Sequence, residues 1–233
     1  MIEKKKVLAI IPARGGSKGI PRKNIIKIEG KPLIQYTIDA AKASKYIDEV
    51  HVSTDDEEIA SVVSELGLIV KRLRPKHLAQ DESKTIDVMI DVLDYYKKQN
   101  IGFDIVVLLQ PTQPLRKAFH IDEALEKFLD HNEESVVSVS LVDEHPILMR
   151  EISGNGKLHP LLSASSTVRR QDFTPFYIVN GAIYVNKASE LTLSTSLNDN
   201  LRPYIIDRRY HVDIDTYKDL KMFELLLDEE GEQ

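Results

Sequence analysis

The chain has no cysteine in its 233 residues, which excludes disulfide staples and thiolate chemistry and fits a reducing, cytoplasmic compartment. No apolar run is long enough to cross a bilayer, so no membrane partner is expected. The apolar run Val7 to Ala13 follows Lys4-Lys5-Lys6 much as in a secretory signal, but Arg14 interrupts it and no small-residue cleavage site comes before the glycine-rich loop. Internal repeats and low-complexity tracts are absent. The seven histidines show no metal-ligand spacing, and no Ser/His/Asp arrangement stands out, so nothing indicates covalent catalysis. A formal net charge of −6 without an aromatic-interleaved basic patch argues against nucleic acid.

What the chain does have is concentrated near its start. Ile11-Pro12-Ala13-Arg14-Gly15-Gly16-Ser17-Lys18-Gly19-Ile20-Pro21-Arg22-Lys23-Asn24 follows an apolar strand and packs glycines and four cations into one loop. Glycine lets backbone N–H groups come close to phosphate oxygens, and Arg14, Lys18, Arg22 and Lys23 supply charge and forked donors. Residues 14 to 31 hold six cations against the single acid Glu29, a local net charge of +5, enough to focus a small polyanion. The spacing matches neither familiar phosphate loop: G-x-G-x-x-G would need glycine where Arg14 stands, and the Walker pattern begun at Gly15 meets Ile20 where glycine is required. Pro21 and Gly30-Lys31-Pro32 delay the next helix to about Leu33, so phosphates are expected in an extended loop.

Apolar runs alternate with amphipathic stretches as in repeated βα units: Val7–Ile11, Leu33–Ala43, Val50–Ser53, Asp55–Leu66, Leu68–Arg72, Ile86–Tyr96, Ile105–Leu109, Phe119–Leu129 and Val136–Leu141. This predicts an α/β, Rossmann-like, mostly parallel sheet with helices on both faces, Thr54-Asp55-Asp56-Glu57 opening the second helix as a capping box. Right-handed crossovers put the loops 12–24 and 110–117 on one edge, where ligands of open α/β sheets bind. Between Val142 and Arg170 the alternation fails; Asn155-Gly156 there predicts a hairpin turn between Leu148–Ile152 and Lys157–Leu162. Strands are expected again at Tyr177–Val185, Tyr204–Ile206 and His211–Ile214, then a helix over Thr216–Leu227.

Asp213-Ile214-Asp215 puts two carboxylates on one face of a strand, a hard-oxygen pair suited to Mg²⁺ with phosphate completing its shell, although Asp215 could equally cap the next helix. The prolines of Gln110-Pro111-Thr112-Gln113-Pro114-Leu115-Arg116 stiffen a strand exit that presents Gln110 and Arg116. Arg169-Arg170 offers guanidinium forks suited to a carboxylate, and Asn180-Gly181 allows close approach of backbone to a ligand.

Taken together, the loop 11–24, Gly30-Lys31-Pro32-Leu33, Leu78-Ala79-Gln80-Asp81, Gln110 to Arg116, Asn180-Gly181-Ala182-Ile183-Tyr184 and Val212-Asp213-Ile214-Asp215 resemble, in order and over nearly the whole chain, the acylneuraminate cytidylyltransferases. The Kdo cytidylyltransferases share Ile-Pro-Ala-Arg and Gly-Lys-Pro but lack the Gly-Gly-Ser-Lys-Gly core. The resemblance implies a Mg²⁺-dependent nucleotidyltransferase that joins CMP from CTP to a nonulosonic acid, releases pyrophosphate and works as a homodimer. It implies a core of residues 1–141 and 170–233 with a dimerisation arm at 142–169. It also implies nucleotide contacts from Ala13, Arg14, Gly15, Gly16, Ser17, Lys18, Lys23, Asn24, Arg74, Gln80 and Ser83, and sugar contacts from Gln110, Arg170, Asn180 and Gly181. Arg14, Lys23, Asp213 and Asp215 would carry catalysis, the last two through the metal. Sialate-type relatives often carry Arg two residues before the Asn, where this chain has Ile178. A glycosyltransferase using Asp-x-Asp is the competing enzyme class, but its motif belongs near mid-chain and would leave the cation loop surplus; a non-catalytic nucleotide binder would have had little reason to keep both.

Overall fold

The computed structural model describes residues 2–163 and 169–231. Its elements are β1 (Val7–Pro12), a small hairpin of β2 (Lys27–Ile28) and β3 (Lys31–Pro32), α1 (Leu33–Ala43), β4 (Glu49–Ser53), α2 (Glu57–Glu65), α3 (Thr85–Lys97), β5 (Ile105–Leu108), α4 (Ala118–Asp130), β6 (Val136–Leu141), a second hairpin of β7 (Arg150–Ile152) and β8 (Leu158–Pro160), β9 (Tyr177–Lys187), β10 (Arg202–Ile205) and α5 (Tyr217–Gly231). Six strands form one sheet in the order β10-β6-β9-β5-β1-β4.

The composition of β1 explains its place. Val7, Ala9 and Ile11 face one side and Leu8 and Ile10 the other, all fully buried, so the strand needs cover on both faces. Ile34 and Ile38 of α1, Ile59 of α2 and Phe128 of α4 cover the first face, and Met89, Val92 and Tyr96 of α3 cover the second. Strand β1 runs parallel to β4 and β5, and β6 parallel to β10. Only β9 is reversed, pairing antiparallel with both β5 and β6. The mostly parallel sheet is therefore as expected, and the reversed strand brings its early residues to the carboxyl edge beside the end of β5.

That early part of β9 is bulged. Val137 and Val139 of β6 stand opposite Tyr184 and Val179, so several β9 residues lose their ladder partners around Gly181, which has φ +77°. Side chains satisfy the freed groups: Asn180 Oδ1 accepts from the Ala182 N–H (3.0 Å) and Ser138 Oγ from the Ile183 N–H (2.8 Å).

Three local expectations need correction. Leu68–Arg72 makes no strand; Leu68 and Val70 pack against the core past the edge strand β4 without joining its ladder, and Ile69 is exposed. Asp56, not Thr54, caps α2, its carboxylate accepting from the Ile59 N–H (2.9 Å), while Thr54 is buried with its hydroxyl accepting from the Asp56 N–H. His211–Ile214 keeps a strand-like alternation, Val212 and Ile214 buried and Asp213 exposed, yet it lies outside the sheet, the Ile214 N–H reaching Thr112 O (2.9 Å). The hairpin between 142 and 169 forms with Gly156 at φ +75° and Ile152 opposite Leu158. Its Leu148, Leu158 and Leu161 are exposed, as is Leu141 before it, whereas Ile147 is buried. Residues 164–168 of that segment lie outside the described residues.

Candidate active site

The loop after β1 reaches the carboxyl edge, where neighbouring atoms come too close to Gly15 and Gly19 to leave room for a side chain. A Cβ on Gly19 would collide with the carbonyl oxygen of Asp215, and one on Gly15 would sit 2.5 Å from an Asp56 carboxylate oxygen. The start of the chain is thus laid directly against its C-terminal segment. Lys23, whose side chain is 13 % exposed, locks the two: its Nζ donates to Ile214 O (2.7 Å) and to the Asp215 carboxylate (2.9 Å).

Between these segments and the lead-in to α3 lies a cleft of about 450 Å³. Arg14, Lys18, Lys23 and Arg74 line it, against Asp81, Asp213 and Asp215. Arg14 donates to Asp81 (2.9 Å) and Gln80 O (3.1 Å), and Lys18 pairs with the same Asp81 (3.0 Å); these two cations lower the Asp81 carboxyl below its usual range. Arg74 is buried on Ser53, its Nε donating to Ser53 Oγ (3.0 Å) and its fork to Ser53 O, and burial brings its guanidinium down to about 10. Desolvation raises the Asp213 carboxyl, and the nearby Asp215 charge adds to the rise. At the start of α5 the Asp219 carboxylate accepts from the N–H groups of Asp215 (3.1 Å) and Thr216 (2.7 Å), while the Asp215 carboxylate takes the Lys23 ammonium.

Of the residues expected at the nucleotide, Arg14, Gly16, Ser17, Lys18, Lys23, Asn24, Arg74, Gln80 and Ser83 line this cleft, together with Asp213 and Asp215. Ala13 and Gly15 do not. Ala13 is buried with its N–H on Ser53 O (2.9 Å), and the Gly15 N–H is taken by the Asp55 carboxylate (3.0 Å). Arg22 is likewise not a free phosphate donor, since its fork holds Asp56 (2.6 and 3.0 Å) and Glu58.

A second cavity of about 490 Å³ adjoins the cleft and shares Thr85 and Gln110 with it. Tyr184, Leu193, Ser194, Thr195, Ser196 and Asn198 line it. Sequence reasoning passed over residues 193–198 because a run of small hydroxyl side chains reads as an ordinary turn. Among the described residues expected at the sugar, only Gln110 lines either cavity. Gly181 lies beneath it, a Cβ there falling 2.5 Å from Gln110 Oε1. Asn180 is buried and committed to the β9 bulge through Ser138, Ser140 and Ala182. Arg170 sits in the short turn Arg170–Asp172, and its side chain lies outside the described residues. Ile178 pairs across the sheet with Ser140 and lines neither cavity.

The sheet order, the reversed interior strand and a cation-lined cleft at the carboxyl edge define an α/β nucleotidyltransferase fold. The same fold is seen in the structure of CMP:2-keto-3-deoxy-manno-octonic acid synthetase complexed with CTP, with a TM-score of 0.73 at 20% identity over 97% of this chain and 99% of that one. The chain belongs to the cytidylyltransferase family, whose model matches residues 8–204. It is 39% identical to the N-acylneuraminate cytidylyltransferase of Streptococcus agalactiae serotype V over 92% of its own length and 51% of that protein's. It is 38% identical to the CMP-N,N'-diacetyllegionaminic acid synthase of Legionella pneumophila over 96% of its length and 97% of that protein's. The chain thus spans about half the length of the first of these relatives and nearly all of the second. Among the described residues no helix is long and apolar enough to cross a membrane, and no cluster of three or more acidic, histidine or cysteine side chains forms a metal site.

Proposed function

We propose that this chain transfers CMP from CTP to the anomeric hydroxyl of a nonulosonic acid, N-acetylneuraminate first among them. The carrying observation is the pair of joined cavities meeting at Gln110 and Thr85, with the cation loop and two carboxylates in one of them. A triphosphate suits the first cavity and a nine-carbon acid the second, which sets the acceptor hydroxyl against the α-phosphorus. A new O–P bond forms, the bond to pyrophosphate breaks, and the hydroxyl proton leaves to solvent or a phosphate oxygen. Arg14 and Lys23 hold the triphosphate and offset the charge that builds on the leaving pyrophosphate.

Asp213 and Asp215 fit Mg²⁺: two adjacent oxygen-bearing side chains facing the cleft leave the rest of an octahedral shell to phosphate and water. Bound there, the ion would supply charge neutralisation and a lowered hydroxyl pKa. In the ligand-free arrangement Lys23 provides the positive charge beside Asp215.

The relative acting on a diacetylated legionaminate keeps a second acceptor in view. The Ser194-Thr195-Ser196 wall offers hydroxyls to acceptor polar groups, and a cavity with such donors rejects analogues that lack the matching group more strongly than an apolar one would. Pyrophosphate release from CTP with N-acetylneuraminate, legionaminate, pseudaminate and Kdo, compared as kcat/KM, decides the matter. N-acetylneuraminate is expected to lead, with less hydroxylated analogues turned over more weakly; preference for Kdo, or no turnover of any nonulosonate, would sink the reading.

The exposed Leu141, Leu148, Leu158 and Leu161 cluster on and beside the β7–β8 hairpin, an apolar face that a second copy of the chain would cover. Sedimentation at micromolar concentration should show a dimer, and Leu158→Glu with Leu161→Glu should shift it to monomer; a wild-type monomer would reject the assignment.

A further inference from the structure

Arg116 is 1 % exposed, and burial brings its guanidinium down to about 9 with no acid offsetting the charge. Its Nη1 donates to three carbonyl oxygens, those of Gln110 (3.3 Å), Gln113 (3.3 Å) and Ala182 (3.0 Å). Its Nε and Nη2 have no partner, and neither do the two amide atoms of Gln113, 2 % exposed in the same turn. A cation buried without a counter-charge is costly, and natural chains normally pair it. The bulge in β9 needs a donor for Ala182 O, but a neutral amide would meet that need without burying charge. Half of the fork therefore does nothing for the fold, and the charge itself asks for an explanation.

The location supplies one. Arg116 lies directly behind Gln110, which borders both cavities, and its bond to Ala182 O ties that loop to the bulge on which Gln110 Oε1 rests over Gly181. We propose that Arg116 is a positioning residue for the acceptor: it sets Gln110 at the junction of the two cavities and lends the acceptor cavity positive potential that draws in a carboxylate. The inference rests on the acceptor being a carboxylic acid. Inside the protein such a charge is little screened, so its field reaches the cavity through one loop. An acceptor carboxylate would then serve as the counter-charge that the fold leaves out.

Gln113→Glu tests this without removing the arginine, because it puts a carboxylate of nearly the same shape into the turn that holds Arg116. The acceptor KM should rise roughly tenfold while the CTP KM stays within about twofold, with the thermal midpoint held or raised as the buried cation gains a partner. A purely structural Arg116 would give the same or higher midpoint and an unchanged acceptor KM, which overturns the proposal. Arg116→Lys against Arg116→Met is the second test: the charged variant should keep an acceptor KM clearly nearer that of wild type. Equal acceptor KM values in these two, or failure of all three variants to fold, would make Arg116 a structural element alone and likewise overturn it. Failure of the functional reading looks different, since the wild-type chain would then turn over no nonulosonate before any variant is made.

Discussion

Asp213→Asn and Asp215→Asn should each fold normally and lose turnover on the order of 10³-fold, the several kcal/mol that a carboxylate-held divalent ion contributes to phosphoryl transfer. Neither change opens a core cavity, because both side chains face the cleft while their neighbours Val212 and Ile214 carry the packing. Asp219, which caps the start of α5, is untouched by either substitution. The measurement is steady-state pyrophosphate release at saturating Mg²⁺, with circular dichroism to check the fold. Near-normal rates in both variants would leave the pair as structural contacts alone, Asp213 to Thr112 and Asp215 to Lys23.

Lys23→Ala should lower kcat by about 10²- to 10³-fold while moving the CTP KM only a few-fold, as expected for a donor that acts on charge built up during the reaction. The structure sharpens this expectation. In the ligand-free chain Lys23 Nζ already has two oxygen partners, Ile214 O and Asp215, so it is held in place before substrate arrives. Lys23→Arg separates charge from placement: a longer planar fork should recover binding and little of the rate. A rise in the CTP KM alone, with kcat intact, would make Lys23 a holder of ground-state phosphate.

The sheet was legible because each core strand declares itself locally. The apolar runs Val7–Ile11 and Ile105–Leu109 are too hydrophobic to face water on either side, and β1 and β5 fall there, while Val136–Leu141, with its two serines on one face, marks β6. Leu68–Arg72 misled because alternation reports which side chains are buried and is silent on whether a backbone ladder forms; Leu68 and Val70 are packed, but no strand lies beyond β4. The same limit applies to Asp213-Ile214-Asp215, where burial alternates as in a strand outside any sheet. In the cleft, lining residues that come from one loop, such as Arg14, Lys18 and Lys23, were readable from composition. Partners brought from afar were not. Asp55 takes the Gly15 N–H that the resemblance gave to the nucleotide, and Asp56 and Glu58 hold Arg22, which local charge had suggested for phosphate. Asn180 was placed at the sugar by the resemblance alone; its amide completes a β-bulge that no local pattern announces. His51 and His120 are buried and brought to about 4 by desolvation, so they are neutral core groups near pH 7.

The contact of Gly19 and Lys23 with Asp215 and Ile214 joins positions 192 residues apart, counted from Lys23 to Asp215. For a chain emerging from the ribosome this sets a timetable. The sheet strands β1, β4, β5 and β6 are all made before Val142, but the loop after β1 has nothing to close against until residues 212–215 have been synthesised. Closing so long a loop is entropically slow, and it becomes cheap only once the sheet has already brought the two ends together. A nascent chain arrested short of Asp213 would thus carry the sheet strands but not the segment that completes the cleft.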